Sequence, residues 1–169
     1  MGAVLDAIIR RRSVRKYTGE DLTTGQLETI LQAGLLAPTS QDRRPCRFVV
    51  VRDRDLLRRL SRAKGAGAGM LDGAAAGIVV QVDGNAIDTW VEDGSIALAF
   101  MHLAAADLGL GSCWFRCTCE KLPMGRMPRR SCVACSVWET SSASLASSRS
   151  ACRRRSSSPD RPQTPTLAR

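Results

Sequence analysis

Apolar side chains recur at helical spacing in two stretches near the start of the chain. In the first, residues 4–11, the apolar positions are Val4, Leu5, Ile8 and Ile9. In the second, they are Leu27, Ile30, Leu31, Leu35 and Leu36. This period predicts two amphipathic helices. Thr23 or Thr24, with Gln26 near the first turn, can cap the second helix, and Pro38 ends it because the residue before a proline is driven out of the helical region.

The next stretches alternate between strand and helix patterns. Residues 48–51 form a continuous run of Phe and Val, which is typical of a strand buried on both faces. A charged amphipathic helix is predicted over residues 53–63. A glycine-rich break follows, which we interpret as a flexible connection and not a phosphate loop. The apolar pattern of residues 77–82 then predicts a second strand.

Residues 93–108 are apolar almost all round, which predicts a helix at the centre of the fold or in a subunit interface. Gly109 stands where a left-handed helix cap would fall. The order of elements through Trp114 favours an α+β fold with three α/β/α layers and a central mixed sheet flanked by helices. His102, the only histidine, is predicted to be a core or interface residue within the last helix.

The pattern changes after Trp114. Residues 115–169 are rich in Ser, Arg, Cys and Pro and show no sustained period of 2 or 3.6. Such a composition buries too little apolar area to offset chain entropy. We therefore predict one folded domain, residues 1–114, followed by a low-complexity tail, residues 115–169, that is irregular or disordered.

The composition of the chain argues against several classes of function. The net charge of +9 suggests an acidic partner, but aromatics are only 4% of residues, so the stacking platforms of a single-strand binder are missing and no nucleic-acid partner is expected. No secretory signal or membrane-spanning stretch is evident. We expect a cytoplasmic protein with no membrane partner, and the odd count of seven cysteines gives no convincing disulfide framework.

Two polar segments carry the candidate chemistry. The basic run, residues 10–17, reads Arg-Arg-Arg-Ser-Val-Arg-Lys-Tyr, and the polar loop, residues 38–47, leads directly into the first predicted strand. Arginine forks with a nearby hydroxyl suit a phosphate group. From composition alone, a solvated basic helix end and a plain surface loop are the competing interpretations.

Three segments together resemble the nitroreductase family of flavoproteins over about residues 7–114. The first is Arg-Arg-Ser-Val-Arg-Lys-Tyr at residues 11–17, and the second is Ala-Pro-Thr-Ser-Gln-Asp-Arg-Arg-Pro-Cys-Arg-Phe at residues 37–48. The third is the apolar helix closed by Leu-Gly-Leu-Gly-Ser-Cys-Trp at residues 108–114. The order and spacing of the three segments make the resemblance specific.

The resemblance implies an FMN-dependent oxidoreductase that moves hydride from NADH or NADPH to nitroaromatics, quinones or similar acceptors. It also implies a homodimer with FMN at the subunit interface. The FMN phosphate and ribityl edge would be held by Arg11, Arg12, Ser13 and Arg15. The flavin would be flanked, from the other subunit, by Pro38, Thr39, Ser40, Asp42 and Arg44. No catalytic side chain is implied, because the cofactor carries the redox chemistry.

The chain departs from the family pattern in the polar loop and in the tail. Asp42, Arg44 and Cys46 replace the usual Asn, Gln and Trp, and an ionised Asp42 cannot donate a hydrogen bond. We hypothesise that an Asp42–Arg44 pair substitutes locally. The family's C-terminal helix, strand and basic stretch are not visible, and we hypothesise that the tail is an out-of-frame reading of a GC-rich gene.

Two alternatives remain open at this point. One is a remnant of the family that no longer retains FMN, since the missing C-terminal elements would normally complete the grip on the cofactor. The other is a zinc or basic binding module, in which Cys132 and Cys135 have metal-ligand spacing and Cys117 and Cys119 supply further thiolates. The absence of a nearby His disfavours zinc.

Overall fold

The computed structural model describes residues 2–64, 69–85, 87–118 and 131–140. Within these ranges the helices are α1 (Ala3–Arg10), α2 (Thr24–Leu35), α3 (Arg54–Lys64) and α4 (Trp90–Asp107). The strands are β1 (Cys46–Val51), β2 (Ala76–Asp83), β3 (Leu110–Thr118) and β4 (Ser131–Thr140). Short 3₁₀ turns lie at Ser40–Asp42 and Gly69–Gly73. The strands form one sheet in the order β1-β2-β4-β3.

Helix boundaries follow the local signals in the sequence. The Thr23 hydroxyl accepts from the Gln26 amide at 3.2 Å, and the Gln26 side chain accepts from the Thr23 amide at 2.9 Å, which completes the capping box. Gly109 follows α4 with φ +75°, the left-handed conformation that glycine adopts without a steric penalty. The predicted start of α2 and the predicted end of α4 are confirmed.

The side chains of β2 alternate between two hydrophobic clusters. Ile78, Val80 and Val82 pack with residues of α2 and α4, whereas Val79 packs with Leu57 of α3 and its neighbours. Helices therefore cover both faces of the sheet, since successive strand residues point to opposite faces. The predicted α+β fold with three layers is confirmed.

Helices α2 and α4 meet closely at a glycine. A Cβ atom added at Gly34 would lie 2.6 Å from the Met101 sulfur and 3.2 Å from a Phe48 ring carbon. Met101 is fully buried. The lack of a side chain at Gly34 therefore brings α4 against α2 and lets Met101 fill the space.

Two details of the predicted sheet are wrong. Neighbouring strands pair antiparallel throughout, so the sheet of the described residues is not mixed. The only parallel contact among these residues is an isolated bridge between Ser13 and Ser112. Strand β1 pairs only with β2 among the described strands. Phe48, Val49 and Val50 are accordingly half-buried and not buried on both faces.

The prediction of an irregular tail is wrong for two segments. Strand β3 continues past Trp114 to Thr118, and β4 inserts between β2 and β3. Its pairing on both edges supplies backbone hydrogen bonds that do not require an alternating sequence pattern. The rest of the predicted tail, residues 119–130 and 141–169, lies outside the described residues, and the proposed division into two domains stays a prediction.

The apolar face of α1 points outward. Val4, Leu5, Ile8 and Ile9 are between 45% and 71% exposed, and Ala7 is the buried residue of this helix. The helix was predicted correctly, but its apolar stripe does not enter the core.

No helix of the described part of the chain is both long and apolar enough to cross a bilayer.

The proposed zinc ligands fall in extended backbone. Positions 132 and 135 both belong to β4. Position 117 belongs to β3, while Cys119 lies outside the described residues. The zinc alternative stays a hypothesis.

Replacing Gly34 with valine tests the close packing of α2 on α4. The added side chain overlaps Met101, and overpacking of this kind costs about 1–3 kcal/mol. We expect the free energy of unfolding in urea to fall by that amount.

Gly25→Ala provides the matched control in the same helix. No atom lies within 4 Å of a Cβ atom at Gly25, so alanine there should be neutral or stabilising by up to about 1 kcal/mol through helix propensity. Equal stability of Gly34→Val and wild type would contradict the packing argument.

Candidate functional site

The basic run begins where α1 ends and is attached to the start of β3. The Val14 amide donates to the Ser112 carbonyl at 2.9 Å, and Ser13 forms a parallel bridge with Ser112. The Tyr17 hydroxyl donates to the Val14 carbonyl at 2.9 Å. These backbone contacts place Ser13 and its neighbours along one edge of the sheet instead of leaving them as a free helix end.

The arginines of the run have different surroundings. Arg12 donates to the carbonyls of Ile9 at 2.7 Å and of Arg11 at 2.8 Å, so it helps to end α1. Arg11 is half-buried, while Ser13 and Arg15 are exposed. Among the described residues, Arg15 reaches only the Ser13 carbonyl, at 3.5 Å. Exposed guanidinium and hydroxyl donors are therefore available at Arg15 and Ser13, whereas Arg12 also has a structural role.

A buried histidine lies beneath the basic run. His102 is 2% exposed, and its Nδ1 lies 2.8 Å from the hydroxyl oxygen of Ser112, the residue that binds Val14. Burial, and secondly the positive charge of Arg11, lower the pKa of His102 to about 4. His102 is neutral near pH 7 and links α4 to the strand that carries the basic run. The prediction of a core histidine is confirmed.

The polar loop is held by its own hydrogen bonds. The Thr39 hydroxyl accepts from the Arg44 amide at 3.0 Å, and the Arg44 guanidinium donates to both oxygens of Asp42 at 3.0 and 3.3 Å. This contact and the charge of Asp42 raise the pKa of Arg44. The Asp42–Arg44 pair suggested by the sequence is present, and it makes Asp42 an acceptor whose partner is the neighbouring arginine.

The backbone of this loop is unusual. Gln41, Asp42 and Arg44 have φ between 49° and 54°, a left-handed conformation that side chains other than glycine rarely adopt. Such residues persist where the surroundings hold them. Pro38 is exposed and Thr39 and Ser40 are half-buried. The tip of the loop, residues 41–44, is exposed, whereas its base at Thr39 and Ser40 contacts the protein.

Sequence reasoning missed the residue that ties this base. Asp93, in the first turn of α4, is 3% exposed and its Oδ1 accepts from the Ser40 amide at 3.1 Å. The available signal was an acidic residue inside an otherwise apolar helix. A carboxylate there can stay buried only if donors meet it.

The two halves of the candidate site lie at opposite ends of α4. The Arg10 guanidinium contacts Asp107 at 3.1 Å at the C-terminal end, and the polar loop contacts Asp93 at the N-terminal end. Helical rise separates Asp93 from Asp107 by about 21 Å. Within one protomer the basic run and the polar loop therefore contact opposite ends of α4.

A groove runs beside the polar loop. It has a volume of about 580 Å³, within the range of small-molecule sites. Its lining residues are Ser40, Gln41, Arg43, Gly84, Asn85, Ile87, Asp88 and Trp90. The groove gives a polar, aromatic-lined surface next to the loop.

Comparison with known proteins assigns the family. The model of the Nitroreductase family matches residues 8–67, which include the basic run and the polar loop. A relative from Archaeoglobus fulgidus, which carries the provisional name NADH dehydrogenase/NAD(P)H nitroreductase, is 41% identical over 118 residues. That match covers 68% of this chain and 67% of the relative. The chain belongs to the nitroreductase family.

Solved structures agree with this assignment. A protein from Bacteroides thetaiotaomicron with the same provisional name superposes with a TM-score of 0.76 at 30% identity, covering 85% of this chain and 89% of that one. An FMN-dependent nitroreductase from Clostridium difficile superposes with a TM-score of 0.72 at 32% identity, covering 82% of this chain and 88% of its own. The fold described above is thus the fold of this family.

A pH titration of stability tests the buried state of His102. The unfolded histidine titrates near its ordinary value of 6.5 and the folded one near 4, so only the unfolded state gains the proton in that window. Stability should fall as pH drops from about 6.5 to about 4, by up to about 3 kcal/mol.

His102→Gln lacks the titrating group and serves as the comparison. Because carboxylates also titrate at low pH, the informative quantity is the difference in unfolding free energy between wild type and variant. We expect that difference to change across the window. A difference that is constant from pH 7 to pH 4 would contradict a buried neutral His102.

Proposed function

We propose that this protein is an FMN-dependent oxidoreductase that accepts hydride from NADH or NADPH and reduces a nitroaromatic, quinone or similar acceptor. The observation that carries the proposal is the attachment of the basic run to β3, through Ser13, Val14 and Ser112. It gives exposed phosphate-binding groups a defined position in a chain of this family. The similar nitroreductase from Clostridium difficile is FMN-dependent, which supports the same cofactor here.

The residues of the run suit a phosphate in type and arrangement. Ser13 and Arg15 are exposed donors, and Arg11 and Arg12 add positive charge on the same segment. A phosphate dianion favours guanidinium and hydroxyl donors at close range. In this proposal Arg11, Arg12, Ser13 and Arg15 hold the phosphate and ribityl edge. FMN, when bound, supplies the hydride chemistry.

The polar loop contributes to the flavin of a second subunit. The basic run contacts Asp107 and the polar loop contacts Asp93, and these two positions are about 21 Å apart along α4. We infer that a site that uses both segments takes its polar loop from a second protomer. Pro38, Thr39, Ser40, Asp42 and Arg44 then orient the flavin from the partner side. The position of the loop at the far end of α4 supports this part of the proposal.

The exposed apolar face of α1 supports a homodimer. Its four large apolar side chains are 45% to 71% exposed, and exposed apolar patches of this kind mark interaction surfaces. A second copy that covered α1 would bury them.

NADH or NADPH as donor fits the expected cytoplasmic location, because nicotinamide cofactors are abundant there.

Purification gives the first experimental test. The enzyme should be yellow, show the absorption bands of a flavin, and bleach when NADH or NADPH is added without oxygen. A colourless monomer that cannot be reconstituted with FMN would instead be the remnant in which the cofactor site is lost.

Removing donors from the basic run should weaken phosphate binding selectively. Ser13→Ala and Arg15→Ala each delete a hydrogen bond to a charged group, worth about 1.5 kcal/mol or more, so the dissociation constant for FMN should rise about tenfold. Riboflavin, which lacks the phosphate but keeps the ribityl chain, should lose less affinity than FMN. Fluorescence titration measures both ligands.

Arg58→Ala is the matched arginine control. Arg58 lies on α3 and pairs with Asp55, away from the basic run. Its loss should leave both dissociation constants unchanged. Equal weakening of FMN and riboflavin by Arg15→Ala would argue that the run does not bind the phosphate.

Replacing Asp42 with asparagine, the residue usual in the family at this position, should strengthen flavin binding. Asn at this position can donate as well as accept, and Asp42→Asn also removes the charge that holds Arg44. One added neutral hydrogen bond is worth about 1 kcal/mol. We expect the dissociation constants for FMN and riboflavin to fall about fivefold together, as the loop faces the flavin and not the phosphate.

Asp55→Asn, which makes the same change in an exposed pair on α3, is the control for the loss of a negative charge. It should leave flavin affinity unchanged. If Asp42→Asn weakened FMN or had no effect, the polar loop would not contact the flavin as proposed.

A further inference from the structure

The carboxylate of Asp93 is buried, and only one of its two oxygens has a hydrogen-bond partner among the described residues. Asp93 is 3% exposed; its Oδ1 accepts from the Ser40 amide at 3.1 Å, while its Oδ2, also buried, has no partner among the described residues. Burying a carboxylate carries a large desolvation cost that hydrogen bonds and nearby dipoles must offset. The first turn of α4, where Asp93 lies, offers a favourable helix dipole.

The loop that Asp93 contacts is held in a costly conformation. Gln41, Asp42 and Arg44 are left-handed, and residues of this kind persist only where their surroundings hold them. The bonds inside the loop, from Arg44 to Thr39 and Asp42, set its shape but do not attach it to the protein body. The Ser40–Asp93 bond joins the loop to α4 across 53 positions of sequence.

We propose that Asp93 is a positioning residue that anchors the base of the polar loop to α4 and sets the direction in which its tip points. Its Oδ1 holds the Ser40 amide at the base of the loop, ahead of the three left-handed residues. The effect on flavin binding rests on the proposed function, because the loop is taken to serve the flavin of the second subunit. The effect on the position of the loop does not depend on the proposed function.

Limited proteolysis of the flavin-free protein measures the loop directly. Trypsin can cut the Arg43–Arg44 bond, which lies in the exposed part of the loop. Asp93→Ala should increase the rate of this cut at least tenfold, measured by mass spectrometry of the peptide ends. The rate of cutting after Arg58, within α3, reports global unfolding and should stay within twofold of wild type.

Two further variants separate anchoring from other effects. Glu92→Ala removes an exposed acidic residue from the same helical turn and should leave the Arg43–Arg44 cut unchanged. Asp93→Asn keeps an oxygen that can accept from Ser40 and should restore most of the protection. Equal protection in Asp93→Ala and wild type, or no recovery in Asp93→Asn, would overturn the proposal.

A measurement on the wild-type protein covers the case in which Asp93→Ala fails to fold. The Ser40 amide should exchange with solvent at least tenfold more slowly than in an unstructured peptide, since it donates to a buried acceptor. Exchange at the unstructured rate would overturn the proposal without any variant.

Flavin titration then tests the dependent step. Asp93→Ala should raise the dissociation constant for FMN and for riboflavin by about the same factor of ten, while Glu92→Ala changes neither. If the loop is released but flavin affinity is unchanged, Asp93 anchors the loop and the assignment of that loop to the flavin is wrong. If no variant binds flavin, the proteolysis result still decides the role of Asp93.

Discussion

The close packing of α4 against the sheet and α2 is the constraint on which the rest of this structure depends. Gly34 leaves room for Met101, and a Cβ atom at Gly94 would already lie 3.2 Å from the Val82 side chain. These small positions let an 18-residue helix lie directly over β2. Because α4 is centrally packed, the segments attached to its two ends have defined positions.

Both candidate binding segments are attached to α4 through polar groups that the core encloses. His102 reaches Ser112 and through it the basic run, and Asp93 reaches Ser40 and the polar loop. The apolar helix thus carries two buried polar residues where the fold needs fixed loops. This arrangement attaches the two segments to different ends of α4 within a protomer, which supports the proposal that the cofactor site is completed between subunits.

The fold was predictable where a local signal stood alone. The Thr23 capping box, the glycine after α4 and the two β-branched runs each specified an element without tertiary information. Strand β4 was missed because pairing on both edges, and not its own periodicity, makes it a strand. The family motifs located the basic run and the loop, but no local pattern could reveal that Asp93 meets Ser40, 53 positions away.

Native mass spectrometry of the purified protein tests the central claim, that the flavin site is completed by two protomers, most directly. Each mass reports both the number of chains and the number of FMN molecules. We expect dimers that carry two FMN and monomers that carry none, with FMN lost as dilution dissociates the dimer. Monomers that retain FMN would contradict the claim, because one protomer would then hold the cofactor without the second subunit's loop.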